Sequence, residues 1–220
     1  MMHYHATPED HAVLEKKGFL LVDSGATYMD GTTDITRTYP LGPLTEDEKR
    51  FYTWTLQSHI DLAKAVWLDY CECKMIDTIA REPLWRHLIN YRCGTGHSVS
   101  FVGNVHEGPH ALNSRNTTRM RPGMVVTDEP GVYETDLVGI RIENELVCVH
   151  KADNQYGTFL GFEPLMFVPI ATSPILPGVL DKDEIAWLND YHRQVFAKLA
   201  PHLNDEERSW LAEKCAAIGC

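Results

Sequence analysis

Phe19-Leu20-Leu21-Val22-Asp23-Ser24-Gly25 and, across the turn Met29-Asp30-Gly31, the run Thr32-Thr33-Asp34-Ile35-Thr36-Arg37-Thr38 decide how this chain is read. The first run is apolar and ends in a carboxylate, the pattern of a buried strand that delivers an acid to a turn. The second alternates, so positions 34, 36 and 38 share one face and the Asp34 carboxylate sits among hydroxyls. An Asp-Gly turn between two such runs favours local antiparallel pairing. Helix–strand alternation further on would also suit a parallel α/β fold, but no glycine-rich phosphate loop accompanies it. An α+β domain is therefore expected.

Further along, Glu129 closes the run Met124-Val125-Val126-Thr127 and precedes Pro130-Gly131, another acid at a strand end. Glu143 lies in Gly139-Ile140-Arg141-Ile142-Glu143-Asn144-Glu145, where alternation sets Arg141, Glu143 and Glu145 on one face and Ile140 and Ile142 on the other. With His97 after Gly94-Thr95-Gly96, the chain order Asp23, Asp34, His97, Glu129, Glu143 gives one imidazole and four carboxylates. Such a set can hold two divalent metals. Carboxylate oxygens suit hard cations and bridge a pair of them, whereas a structural zinc site wants thiolates or several imidazoles at close spacing. Any one of these acids alone reads as surface charge, the usual state of a carboxylate, in a chain with 31 Asp plus Glu against 20 Lys plus Arg.

Taken in order, Asp23-Ser24-Gly25, Asp30 to Thr38, Gly94-Thr95-Gly96-His97, Val105-His106-Glu107-Gly108-Pro109, Thr127-Asp128-Glu129-Pro130-Gly131 and Gly139 to Asn144 resemble the catalytic domain of the aminopeptidase P family. That family belongs to the pita-bread metallopeptidases, with prolidase and methionine aminopeptidase. The resemblance covers most of the chain and extends through Phe162-Glu163-Pro164-Leu165 and Trp187 to His192, as in the long, eukaryotic-type members. It implies a curved antiparallel sheet flanked by helices, with the metal site in its concavity. It also implies that Asp23 chelates one metal, that Asp34 and Glu143 bridge both, and that His97 and Glu129 complete the second. A metal-bridging hydroxide would then attack the scissile carbonyl. By the same resemblance Glu129 is the proton shuttle, His106 and His3 steady the carbonyl oxygen and the tetrahedral intermediate, and Arg141 orients a ligand carboxylate.

The chain departs from the family at Cys93, four positions before His97, where a histidine usually helps shape the pocket for the residue after the cut. A neutral thiol does not replace an imidazolium, and a small buried hydrophobe is the expected role for Cys93. A second departure is the start. His3-Tyr4 matches a point inside the family's catalytic domain, so residues 1–220 are expected to form one catalytic domain short of its N-terminal part, either as a fragment of a longer chain or with another chain filling the gap. A sheet cut this way would expose an edge strand, and a homodimer is the expected answer.

Composition is that of a globular chain, with 44% apolar and 23% charged residues over 220. A net charge of −11 argues against nucleic acid and anionic membrane surfaces as partners. No apolar stretch is long enough to span a bilayer, and six scattered cysteines without a C-x-x-C fit a reduced, cytoplasmic compartment. Strands are expected around 19–23, 31–39, 124–128, 139–149 and 166–170. Thr45-Glu46-Asp47-Glu48 reads as a capping box opening a helix with Tyr52, Leu56, Ile60, Ala63 and Trp67 as its stripe. A second helix, 75–90, contains Pro83, which should kink or split it. His59 and His87 on these helices read as exposed or core-satisfied residues, not ligands. Residues 171–220 read as a packed helical tail, with helices near Asp181 and Asn204, the last anchored by Trp210 and Leu211.

The implied function is removal of the N-terminal residue from peptides with proline second, with Mn²⁺ the family's usual ion and Co²⁺, Fe²⁺ or Zn²⁺ equally acceptable to the ligand set. The alternatives are a prolidase acting on Xaa-Pro dipeptides, and a binding module that has lost its metals, a class that usually lacks several of the ligands retained here.

Overall fold

A computed structural model of the chain describes residues 6–219, so His3 and Tyr4 lie outside the described residues. The first hairpin forms as its sequence dictates. Strand β1 (Phe19–Tyr28) pairs antiparallel with β2 (Gly31–Pro40), and the register Tyr28↔Gly31 leaves Met29 and Asp30 as the loop. Gly31 takes φ 148°, a conformation that side chains resist at a tight turn. The register opposes Asp23 to Thr36 and Gly25 to Asp34, which puts Asp23, Asp34, Thr36 and Thr38 on one face.

Helix α1 (Glu46–Ala63) opens on the expected capping box, with Glu48 N–H on Thr45 Oγ1 and Thr45 N–H on Glu48 Oε2. Its stripe Tyr52, Leu56, Ile60 and Ala63 is buried. Trp67, expected on that helix, instead lies in strand β3 (Val66–Leu68) and packs its ring 4.5 Å from that of Phe162. Helix α2 (Cys73–Trp85) contains Pro83 in its last turn and is not split. It stops short of the expected Asn90 because Leu88 turns left-handed (φ 59°) and the Ile89 and Leu88 N–H groups close back on the carbonyls of Leu84 and Trp85, a Schellman ending.

The remaining strands are β4 (Gly96–His97), β5 (Ala111–Leu112), β6 (Val125–Asp128), β7 (Gly131–Glu134), β8 (Val138–Arg141), β9 (Asn144–Asn154) and β10 (Gly157–Pro164). An antiparallel sheet runs β3-β10-β9-β6, with the pairs β4-β5 and β7-β8 beside it. The single strand expected over 139–149 is thus two, and β10 was not anticipated. The break falls at Ile142-Glu143. There the Glu143 N–H bonds to Thr36 O (3.1 Å) and the Glu143 carbonyl accepts from the Arg37 guanidinium, so the chain leaves β7 and crosses to β6. Thr38 Oγ1 donates to Arg141 O at 2.8 Å, and the β1-β2 hairpin is thereby docked across the break.

The expected strand over 166–170 does not form. Its backbone groups are taken by side chains instead: Val168 O and Pro169 O accept from Arg37, Val168 N–H donates to Tyr191 Oη, and Ile170 N–H donates to His192 Nε2 (3.1 Å). Tyr191 and His192 belong to helix α3 (Lys182–Leu199), which, like helix α4 (Asp205–Lys214), opens on a capping box. The core joins α1, β8, Ile142 and α3, with Leu211 of α4 buried against them. Trp210, expected as a second anchor of α4, is exposed.

His192 is fully buried, and burial, reinforced by the Arg37 charge, lowers its pKa to about 4. The unfolded chain takes up a proton near pH 6.5 that the folded chain refuses, so stability falls as pH drops from about 6.5 toward 4. Between pH 7 and pH 5 this group costs about 2 kcal/mol of unfolding free energy. Denaturant unfolding of His192→Gln should lack that component, and a variant with the parent's pH dependence would refute the assignment.

Candidate metal centre

Asp34 on β2, His97 on β4 and Glu143 at the β8-β9 break bring ligand atoms within 4.8 Å of one another, a grouping of the kind that holds a metal ion. Glu129, just past β6, puts Oε1 3.2 Å from His97 Nε2, while Asp34 Oδ2 is 3.4 Å from the same nitrogen. Four of the expected ligands therefore meet in one place. Asp23 lies beside them with its Oδ2 held 2.6 Å from Arg141 Nη2, and Arg141 Nε is 3.9 Å from Glu129. Arg141 also donates through Nε to Thr36 Oγ1 (3.0 Å) and through Nη1 to the Tyr133 hydroxyl. The carboxylate that the Arg141 guanidinium holds directly is that of Asp23.

Neighbouring hydroxyls set these side chains. Glu143 is buried and its Oε2 accepts from Thr36 Oγ1 at 2.5 Å, the reward of the even-numbered face of β2. Thr127 Oγ1 accepts from His97 N–H and donates to Glu129 Oε1, both at 2.9 Å, so one hydroxyl ties His97 to Glu129. Gly96 between them has no room for a side chain, since a Cβ there would stand 1.8 Å from Thr127 O. Thr36 and Thr127 were not singled out from sequence. The alternation of β2 marked Thr36, whereas Thr127 takes one partner, the His97 N–H, from β4 and the other, Glu129, from two positions further along its own segment.

His106, on an exposed loop, stands edge-on to His97 with ring centroids 4.0 Å apart. Cys93 is partly buried, its Sγ 3.7 Å from Gly131 O, in a pocket shared with Tyr91, Arg92, Gly131 and Tyr133. Burial and the nearby Glu129 charge push its thiol pKa up, in keeping with a small hydrophobe and not a reactive thiolate. His59 is not in the cluster: it is fully buried with Nδ1 3.0 Å from Asp128 Oδ2. Burial raises Asp128 to about 6 against the pull of His59. His87 stacks on Trp54 at 4.0 Å, well apart from the ligands.

Close packing of the acids leaves the cluster holding protons. Burial, then the charges of Glu129 and Asp34, raise the Glu143 pKa well above the carboxylate range. Glu145, buried behind Asp34, is raised to about 7 by burial and then by Asp34. Burial disfavours a charged His97, yet Asp34 and Glu129 overcome it and lift the imidazole to about 10. A hard divalent ion with oxygen and imidazole preference fits this donor set.

Residues 1–150 match metallopeptidase family M24, and residues 158–218 match the C-terminal region of the same peptidase family. The chain belongs to metallopeptidase family M24. It is 40% identical over 226 residues to a probable Xaa-Pro aminopeptidase P of Coprinopsis cinerea, covering 99% of this chain and 36% of that one. Aminopeptidase P1 of Lotus japonicus is also 40% identical, across 100% of this chain and 34% of its own. The crystal structure of X-prolyl aminopeptidase from Caenorhabditis elegans, described as a cytosolic enzyme with a di-nuclear active site, superposes with a TM-score of 0.85 at 40% identity. It covers 90% of this chain and 33% of that one. Prolidase from Pyrococcus furiosus gives 0.58 at 28% identity over 68% of this chain and 41% of its own. This M24 chain has the pita-bread fold expected of it and spans about a third of the length of the curated relatives it matches.

The proton on His97 must leave before a metal enters, so metal affinity should rise with pH up to about 10, by about tenfold per unit for each proton displaced. Calorimetric Mn²⁺ titrations between pH 6 and 9, in buffers of differing ionisation heat, measure both the slope and the proton release. A pH-independent affinity would contradict the arrangement.

Proposed function

We propose that this chain is the catalytic domain of an Xaa-Pro aminopeptidase, a hydrolase that removes the N-terminal residue from peptides with proline in second position. The observation that carries the proposal is the convergence of Asp34, His97 and Glu143 within 4.8 Å, with Glu129 3.2 Å from the imidazole. In this reading Asp23, Asp34, His97, Glu129 and Glu143 would hold two divalent ions, Mn²⁺ foremost. A metal pair held there would supply a water of lowered pKa and a polarised scissile carbonyl.

The residues do the rest. Glu129 takes the proton of the attacking water and passes it to the proline nitrogen as the C–N bond breaks; its carboxylate, partly exposed, is reachable by substrate and steadied by Thr127. His106, exposed beside His97, donates to the carbonyl oxygen as negative charge develops on it. His3 is assigned the companion role. Arg141 keeps Asp23 aimed at the centre. Cys93 lines the pocket for the residue after the cut. The likeness to the nematode X-prolyl aminopeptidase, 0.85 against 0.58 for the prolidase, favours aminopeptidase over prolidase. It also supports a cytosolic setting. No helix among the described residues is long and apolar enough to cross a membrane. The outer edge of β1 pairs with no strand among the described residues, and a second copy of the chain or upstream sequence of a longer parent is the partner proposed for it.

With Mn²⁺ and a short Xaa-Pro-Xaa peptide, Glu129→Gln should lower turnover by about 10²–10⁴-fold, the usual worth of a general acid–base. Equal rates for parent and variant, or equal cleavage of the Xaa-Ala-Xaa peptide by the parent, would overturn the proposal.

A further inference from the structure

Helix α2 lies outside the ligand set, yet its buried pair Asp77 and Arg81 holds the segment that carries His97. Asp77 is 1% exposed, and its Oδ2 accepts from Arg81 Nε at 2.7 Å. Its other oxygen, Oδ1, accepts from the Thr95 hydroxyl. With that proton committed, the Thr95 oxygen accepts from the buried Tyr91 hydroxyl. Arg81 then donates to Tyr91 O and to Cys93 O, both at 2.9 Å, and lies 4.1 Å over the Tyr91 ring. Alternate residues 91, 93 and 95 are thus fastened to one helix.

Thr95 passes this hold to the centre. Its carbonyl accepts the Glu129 N–H at 2.8 Å, and its own N–H donates to Leu112 O at 2.7 Å. Two residues on, His97 N–H and the Glu129 carboxylate share the Thr127 hydroxyl. Since Gly96 sits against Thr127 O with no space for a Cβ, residues 95–97 cannot shift without moving 127–129. A network in which every member has its partner is rigid, and one stripped of a hydroxyl is not.

We infer that Asp77 and Thr95 are positioning residues for the metal centre: the Arg81–Asp77 pair of α2, acting through the Thr95 hydroxyl and carbonyl, sets the spacing of His97 and Glu129. The inference rests on the reading of those two residues as ligands and deepens it. It places the control of one half of the centre in a helix that no ligand occupies.

Mn²⁺ affinity measured by calorimetry tests this directly. Thr95→Val keeps shape but removes the hydroxyl, leaving Asp77 Oδ1 and Tyr91 Oη without their partner. It should weaken Mn²⁺ binding about 10- to 100-fold, the range for partners one shell behind a ligand, while Thr95→Ser should stay near the parent. Thr53→Val is the control. It removes a buried hydroxyl of α1 that donates to Lys49 O and accepts from the Leu176 N–H, and it should lower stability without moving metal affinity. Should Thr95→Val not fold, Tyr91→Phe removes one hydroxyl from the same chain and is expected to weaken Mn²⁺ binding in the same direction. Unchanged affinity in the folded Thr95→Val or Tyr91→Phe variant, or an equal loss in Thr53→Val, overturns the inference alone. No Mn²⁺ binding by the parent overturns the ligand assignment beneath it.

Discussion

Carboxylates packed as closely as Asp34, Glu129 and Glu143 repel one another, and the frame must hold them against that repulsion. The cost is visible in Glu143 and Glu145, whose acidities are weakened by burial and by their neighbours, and in His97, which is driven to keep a proton. Backbone geometry alone does not suffice. Three of the acids are tied by a hydroxyl or a guanidinium, Glu143 by Thr36, Glu129 by Thr127 and Asp23 by Arg141, while Asp34 faces the His97 imidazole. The Thr36–Glu143 and Asp23–Arg141 ties join elements far apart in sequence, so the centre exists only once the sheet has closed.

Arg37 is the widest of these connections. Buried under β2, it bonds the carbonyls of Thr36, Glu143, Val168 and Pro169, the Asn144 side chain and the Tyr191 hydroxyl. One guanidinium therefore joins the strand bearing Asp34, the break bearing Glu143, and the tail helix α3. Tail packing and ligand spacing are mechanically one problem in this domain. The same interactions explain why 166–170 runs extended without a ladder.

The hairpin, the capping box at Thr45 and the alternating faces of 34–38 and 139–145 were legible because they are local: turn chemistry, N-cap spacing and period-two patterning each act within a few residues. All five candidate ligands were named on that basis together with family resemblance, and four of them converge, with Asp23 adjacent. What was not legible depended on distant partners. Trp67 keeps helical spacing from Ala63 but is claimed by Phe162 of β10. The 139–149 run reads as one strand until Thr36 and Arg37 reach its middle. Asp77 and the hydroxyls of Thr95 and Thr127 were not read as contributors, because Asp77 meets Thr95 from another element and Thr127 meets His97 from another strand.

Anomalous diffraction from a crystal of this chain grown with Mn²⁺, recorded at the manganese edge, tests the central claim most directly. The account predicts two peaks enclosed by Asp23, Asp34, His97, Glu129 and Glu143, with Asp34 and Glu143 touching both. Manganese peaks only at other places on the protein, or none with the acids still paired to Arg141 and His97, would contradict it.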